Sequence, residues 1–176
     1  MTKVLCLLRG ACWISIILSL VACTPRFDWR EMRHPDFDYL ALFPAKPVQA
    51  TRNLTLAGKA YPLTLQAARV DDVLFAVGVI PAVPPAEQAA VLAALEQSAL
   101  QNIQGQMMQR QVNAAGVITL HAMGKIKEPS QTITQAATLH ARFGVIRGQV
   151  YEVLIVGPQD TLPKEAIETF LSGFQP

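Results

Sequence analysis

The sequence lacks the loops that mark nucleotide binding or serine hydrolysis. Its ten glycines are scattered, and no Gly-rich phosphate loop occurs. Beyond residue 22 the serines are Ser98, Ser130 and Ser172, and none stands in a Gly-x-Ser-x-Gly turn. The net charge of +2 over 176 residues also lacks the basic surplus of a nucleic-acid binder. These absences leave no motif for phosphate, acyl-transfer or nucleic-acid chemistry, so we expect no nucleic-acid partner.

A hydrophobic run of transmembrane length is missing as well. Lys3 and Arg9 precede twelve uncharged residues, Ala11 to Ala22, whereas a membrane-crossing helix needs roughly 20 apolar residues. A basic start, a short apolar stretch and a small residue at its end are typical of a secretory signal peptide, here residues 1–22. The alternative is an uncleaved membrane anchor from Val4 to Ala22, which Arg9 interrupts.

The end of this stretch, Leu20, Val21, Ala22, Cys23, resembles the lipobox of bacterial lipoproteins. The resemblance implies cleavage between Ala22 and Cys23, diacylation of the Cys23 thiol and acylation, as with palmitate, of the new amino group. Two or more acyl chains anchor a protein to a membrane almost permanently. Thr24 stands where an aspartate would retain an enterobacterial lipoprotein in the inner membrane, so the resemblance favours the outer membrane over the inner one.

Cleavage before Cys23 removes Cys6 and Cys12 and leaves neither a free thiol nor a disulfide. The charged residues from Thr24 to Asp38 show no period of 2 or 3.6, so we expect a lipid-anchored tether over 23–37 and a single domain over 38–176. Phe27 and Trp29 have two interpretations: they rest among lipid headgroups, or they belong to a mobile linker. The mobile linker is the favoured interpretation.

Short strands and turns alternate through the first half of the domain. Tyr39 to Phe43 predicts a strand that Pro44 ends, and two alternating segments around Ala57 and Gly58 predict a hairpin. Asp71 and Asp72 predict the next turn. The almost continuous apolar run that follows is typical of a central strand buried on both faces.

Helical and strand patterns complete the domain. Pro84 and Pro85 open a helical pattern with an apolar stripe that extends to Met107. Three further strands follow, the first two joined by a turn at Glu128 to Gln131, and a C-terminal helix places Ile167, Phe170, Leu171 and Phe174 on one side. We therefore predict an α+β fold, with an antiparallel sheet of about six to seven strands covered by a long central helix and a C-terminal helix.

Two stretches, "YLALFPAKP" and "VYEVLIVGPQDTLPKEAIETFLSGF", resemble a pattern found in small exported bacterial proteins. Many of those domains are similar to the PsbP-like α/β/α sandwich, which also occurs in DcrB-type lipoproteins. The resemblance covers about residues 39–174 and implies that fold. Members act as assembly factors, accessory subunits or proteins of unknown role, so the resemblance selects no function and carries over no catalytic residue set.

Two histidines are the weak candidates for a metal site. Both lie in the hairpin that turns at Glu128 to Gln131. If residues paired across this hairpin have numbers that sum to about 259, His121 lies opposite Thr138 and diagonal to His140. Diagonal neighbours on one face lie about 7 to 8 Å apart, and a stable metal site needs three or four ligands. No acid alternates with the pair, and Arg142 lies beside it, so two ordinary histidines are the favoured interpretation.

The patterns together predict a membrane-anchored lipoprotein, attached through Cys23, with its domain in the periplasm. We expect a non-enzymatic binding, assembly or accessory module with an envelope protein as partner and without a cofactor. The alternative is a metal-dependent or hydrolytic periplasmic enzyme that uses His121 and His140. A small-ligand carrier and a purely structural role also stay open.

Overall fold

The computed structural model describes residues 26–127 and 134–176. These residues form nine strands and two helices, in chain order β1 (Arg30–Arg33), β2 (Leu40–Phe43), β3 (Val48–Leu56), β4 (Lys59–Val70), β5 (Val73–Ile80), α1 (Pro85–Asn102), β6 (Gln106–Val112), β7 (Ile118–Lys127), β8 (Thr134–Ile146), β9 (Gln149–Pro158) and α2 (Lys164–Ser172). Seven strands form an antiparallel sheet in the order β3-β4-β5-β9-β8-β7-β6, and β1 pairs with β2 separately. The α+β class with an antiparallel sheet is confirmed.

The predicted turns at Ala57–Gly58 and Asp71–Asp72 are confirmed, and so is the helix start at the prolines. Ala57 (φ 49°) and Gly58 (φ 79°) both adopt left-handed backbone between β3 and β4, which suits the twist of a two-residue hairpin. Asp71 and Asp72 join β4 to β5. Pro84 caps α1 and Pro85 begins it, because proline is tolerated where the helical N–H groups lack partners.

The central strands separate two hydrophobic clusters. Along β9, Val153 and Ile155 belong to one cluster, whereas Leu154 and Val156 pack against the other. Successive strand residues point to opposite faces, so the clusters lie on the two sides of the sheet. Helix α1 covers one side, and α2 covers the other together with the β1–β2 ladder.

The helix α1 is shorter than its apolar stripe predicted, with 18 residues ending at Asn102. Ile103 continues the buried side at 2% exposure, but Gln104 (φ 47°) turns the chain into left-handed backbone. Met107 therefore lies on the edge strand β6 and is 46% exposed. The expectation that the apolar stripe of α1 reaches Met107 was wrong, because Met107 belongs to β6, which pairs with β7.

Two glycines allow the end of α1 to approach β7 closely. A Cβ atom on Gly124 would lie 2.2 Å from the Ile103 carbonyl oxygen and 2.8 Å from the Cα of Gly105. The Lys125 N–H donates to that same carbonyl at 2.6 Å. Any side chain at Gly124 would break this contact, so the glycine fixes where α1 ends.

The segment expected to be a tether is structured from Arg26 onward. Strand β1 pairs with β2, and the rings of Phe27 and Trp29 each lie 6.2 Å from the Phe75 ring. This differs from the expectation of a tether over residues 23–37. The sequence shows no strand pattern here, because β1 has four mostly exposed residues and pairs only with the equally short β2.

The hairpin of β7 and β8 differs in register from the expected pairing. His121 lies directly opposite His140, and Thr138 lies opposite Met123, so the pairing is shifted by two residues. A shift of two preserves the face of every side chain, which is why both histidines still share one side. The predicted turn at Glu128 to Gln131 lies outside the described residues.

No helix within residues 26–127 and 134–176 has the length and apolar character needed to cross a membrane.

Candidate functional site

A cleft of about 330 Å³ opens between the C-terminal half of α1 and the sheet. This volume is in the range of small-molecule sites, roughly 300–1,000 Å³. Its apolar wall consists of aliphatic side chains alone: Leu54, Leu65, Leu74, Ala76, Leu95, Ala99, Ile103, Ile126, Leu139, Leu154 and Val156. Its polar lining is Arg52, Arg69, Asp72, Ser98, Asn102, Lys127 and Glu152.

The cleft exists because the two ends of α1 are held over different strands. Near its start, Glu87 accepts hydrogen bonds from Lys59 and Tyr61 of β4. Beyond its end, the Ile103 carbonyl accepts from Lys125 of β7. The helix therefore crosses the sheet obliquely and leaves the ends of β4, β5 and β9 partly uncovered. The half-buried side chains of Leu74, Leu154 and Val156 in that region form the cleft wall.

The buried carboxyl of Glu152 lies on the wall of this cleft. Glu152 is 5% exposed and stands on β9, the central strand, directly opposite Gly78 of β5. A Cβ atom on Gly78 would lie 2.8 Å from both Cγ and Oε1 of Glu152 and 3.0 Å from a methyl carbon of Leu63. The absent side chain at Gly78 therefore provides the space that the glutamate occupies.

Burial raises the pKa of Glu152 to about 7, and the positive charge of Arg52 partly opposes that rise. Among the described residues, no side chain forms a hydrogen bond or ion pair with this carboxyl. An unpaired carboxylate is costly to bury, so the protonated form persists to near neutral pH. A protonated carboxyl donates one hydrogen bond and accepts others, which gives the aliphatic wall of the cleft a buried polar group that can bind a ligand.

The histidine pair lies on the opposite face of the sheet. The ring centroids of His121 and His140 are 4.4 Å apart, with 12° between the ring planes. Both Nε2 atoms lie within hydrogen-bond distance of the Thr138 hydroxyl, at 3.2 and 3.4 Å. Burial, and secondarily the charge of His121, lowers the pKa of His140 to about 4. The structure thus brings the two histidines closer together than the diagonal placement predicted.

A third metal ligand is not found beside this pair in the part of the chain that the structure describes. No group of three or more His, Cys, Asp or Glu side chains there is arranged to hold a metal ion. Arg142, which alternates with His140 on β8, donates to the Leu171 carbonyl at 2.9 Å. The arrangement of His121 and His140 supplies two stacked imidazoles and a shared hydroxyl.

The predicted lipidation and cleavage residues, Cys23 and Ala22, lie outside the described residues. The nearest described residue is Arg26, whose Nε lies 3.0 Å from Asp71 Oδ2 and whose Nη2 donates to the Thr161 carbonyl at 3.2 Å. The start of the described chain is therefore attached to the end of the sheet where β4 turns into β5.

The sequence patterns did not indicate the cleft residues Glu152 and Arg52, or Gly78, which faces Glu152. One signal was present: Glu152 is the single charged residue in the strand "QVYEVLIVGP", and an acid in a central strand needs a reason. The cleft itself depends on the crossing direction of α1, which no local pattern encodes.

No protein-family model matches the chain, and no curated protein sequence is significantly similar to it.

Proposed function

We propose that this chain is a bacterial lipoprotein whose domain is a non-enzymatic binding module in the periplasm. It is cleaved between Ala22 and Cys23 and anchored by lipid on Cys23. Thr24 favours the outer membrane over the inner one. The module binds an envelope component in an assembly or accessory role, with an envelope protein as partner.

The proposed architecture is the PsbP-like sandwich. The observed layers support it, since the antiparallel sheet has α1 on one face and α2 with the β1–β2 ladder on the other. A fold does not select a function, so the binding role depends on the site.

The observation that carries the binding role is the aliphatic cleft with Glu152 on its wall. A concave apolar site with few convergent polar groups is the usual form of a small-ligand pocket. The cleft already exists between packed elements, so a ligand does not need to open it. We therefore assign ligand binding to the cleft between α1 and the sheet.

Binding of a neutral apolar fluorescent probe, phenylnaphthylamine, to the full chain held in lipid nanodiscs tests this role. Ser98 lines the cleft and is half-buried, whereas its neighbour Gln97 is exposed on α1. Ser98→Trp fills the cleft and Gln97→Trp, the matched control, adds the same side chain outside it. We expect Ser98→Trp to lower the saturable probe signal above that of empty nanodiscs at least tenfold and Gln97→Trp to preserve it. Equal signals from both variants would refute the cleft as the site.

Anchoring is tested separately by mass spectrometry of the protein isolated from membranes. The expected amino terminus is an acylated Cys23, and a Cys23→Ser variant is expected to leave the membrane fraction. An intact amino terminus at Met1 would instead support the uncleaved anchor.

A further inference from the structure

We propose that the cleft binds an acyl chain of an anionic phospholipid from the membrane beside the domain. The proposal rests on the proposed function, because it names the ligand class of the same cleft. Four observations support it: the lining, the charges, the position of the opening and the attachment of Arg26.

The lining is suited to a flexible aliphatic chain. None of the residues that line the cleft is aromatic, although the opposite face of the sheet has rings in edge-to-face contact, such as Phe43, Phe75 and Phe170. Planar ligands are usually held by aromatic side chains. A wall of leucine, isoleucine, valine and alanine provides no such platform, and it favours a chain of methylenes.

The charges around the cleft favour an anionic head group. Arg52 and Lys127 line it, and so does one exposed acid, Asp72. Burial raises the pKa of Glu152 to about 7, so near neutral pH this carboxyl carries only part of a negative charge. The proposal relies on Arg52 and Lys127, which stand on β3 and at the end of β7. Such cations hold phosphate as point charges or by paired hydrogen bonds.

The opening lies at the end of the sheet where the anchored segment begins. Asp72 lines the cleft, and its neighbour Asp71 holds Arg26. Cys23 precedes Arg26 by three residues, which span at most about 11 Å of extended chain. A lipid anchor on Cys23 would therefore hold this end of the domain, where Asp72 lines the cleft, close to the membrane surface.

Photolabelling of the full, lipidated chain in phosphatidylethanolamine vesicles tests the proposal. One set of vesicles carries phosphatidylglycerol with a diazirine in its acyl chain, and a matched set carries phosphatidylcholine with the same photoreactive chain. Peptide mass spectrometry locates each adduct, and the head-group mass identifies the lipid. We expect adducts on the peptide that carries Leu154 and Val156, several-fold more abundant with phosphatidylglycerol.

Two pairs of variants separate the cleft from general proximity to the bilayer. Ser98→Trp is expected to reduce labelling of the Leu154 peptide several-fold, whereas Gln97→Trp leaves it unchanged. The double variant Arg52→Gln with Lys127→Gln is expected to abolish the preference for phosphatidylglycerol but to retain labelling with phosphatidylcholine. Circular dichroism and thermal unfolding of each variant establish that the fold is intact.

The outcomes distinguish this proposal from the proposed function. If phenylnaphthylamine occupies the cleft but neither lipid labels it, the lipid assignment is refuted and the binding site stands. Equal labelling by both lipids in the wild type refutes the anionic head group. If neither the probe nor the lipids reach the cleft, both the lipid assignment and the cleft as a binding site are refuted.

Discussion

Gly78 and Glu152 face each other across the two central strands, and the missing side chain of one makes room for the carboxyl of the other. The glutamate lies almost completely buried on the wall of an aliphatic cleft. Neither residue is needed for a stable sheet, where a glycine weakens the strand and a buried carboxyl costs solvation energy. Glu152 lines the cleft and Gly78 makes room for its side chain, so we attribute the combination to the cleft.

The contact predicts that Gly78→Ala destabilises the protein through Glu152. The added Cβ atom would overlap Glu152 Cγ and Oε1 at 2.8 Å, and overpacking of a core typically costs about 1–3 kcal/mol. Glu152→Ala removes both of those atoms, so the same glycine substitution is expected to cost much less in that background. Urea unfolding of the two single variants and the double variant measures the coupling. An equal cost of Gly78→Ala in both backgrounds would show that the two residues do not interact.

Glu152→Gln is predicted to remove a pH dependence of stability. The folded pKa of Glu152 is raised from 4.5 to about 7, so the folded state binds the proton more tightly than the unfolded state. The stability that protonated Glu152 gives the folded state is complete below pH 4.5, decreases as the pH rises, and is lost above about pH 7. The full change is on the order of 3 kcal/mol.

The measurement is the difference in unfolding free energy between Glu152→Gln and the wild type from pH 4 to 9. We expect the variant to gain relative stability as the pH rises through this window and then to hold a constant advantage. Glu165→Gln, on the exposed side of α2, is the matched control for loss of a surface carboxyl. A difference that does not vary with pH would contradict the burial of an unpaired Glu152.

The imidazole of His140 is predicted to stay neutral between about pH 6.5 and pH 4, where an ordinary histidine becomes protonated. Burial is the main cause and the His121 charge the second, and together they lower the pKa of His140 to about 4. Because the folded pKa is lowered, stability from this group is present above pH 6.5 and decreases as the pH falls towards 4. Imidazole NMR signals followed from pH 8 to 3 are expected to give a midpoint near 4.

His121→Gln tests the second cause in the same NMR experiment. It removes the neighbouring charge, so the midpoint of His140 is expected to rise while staying below 6.5, since burial remains. Addition of Zn²⁺ is expected to leave both histidine signals unchanged at neutral pH. Signals that shift stoichiometrically with Zn²⁺ would instead support the metal-dependent enzyme.

Trp29 is predicted to report a packed amino-terminal segment. Its ring meets Phe75 at 85° and lies 5.7 Å from Phe27. In a Trp13→Phe chain it is the single tryptophan, since the sequence has two. We expect blue-shifted emission that is protected from acrylamide, and a loss of about 2 kcal/mol in Trp29→Ala. Val48→Ala, at a 73% exposed position, is the control. Emission typical of water-exposed indole would restore the tether interpretation.

Much of the fold was predictable because it depends on local chemistry. The left-handed turn at Ala57 and Gly58, the prolines that open α1, and the stripe of Phe170 and Leu171 on α2 all act within a few residues. Burial on both faces also made β5 recognisable as a central strand. These elements follow from backbone preference and hydrophobic period.

The rest could not be predicted because it depends on distant partners. Strand β6 has seven exposed residues and no alternation, and its position is fixed by β7 and by the pair in which Arg110 donates to the buried Glu96 of α1. The register of His121 against His140 depends on a turn that is not described. The cleft around Glu152 depends on the angle at which α1 crosses the sheet.

Methyl NMR of the full chain in nanodiscs, titrated with phenylnaphthylamine, shows whether the cleft is the binding site. We predict saturable shifts of the methyl signals of Leu65, Leu154 and Val156, which line the cleft, without comparable shifts of Ile155 and Leu171 on the other face. Shifts confined to Ile155 and Leu171, or no saturable shift at either set, would contradict the account.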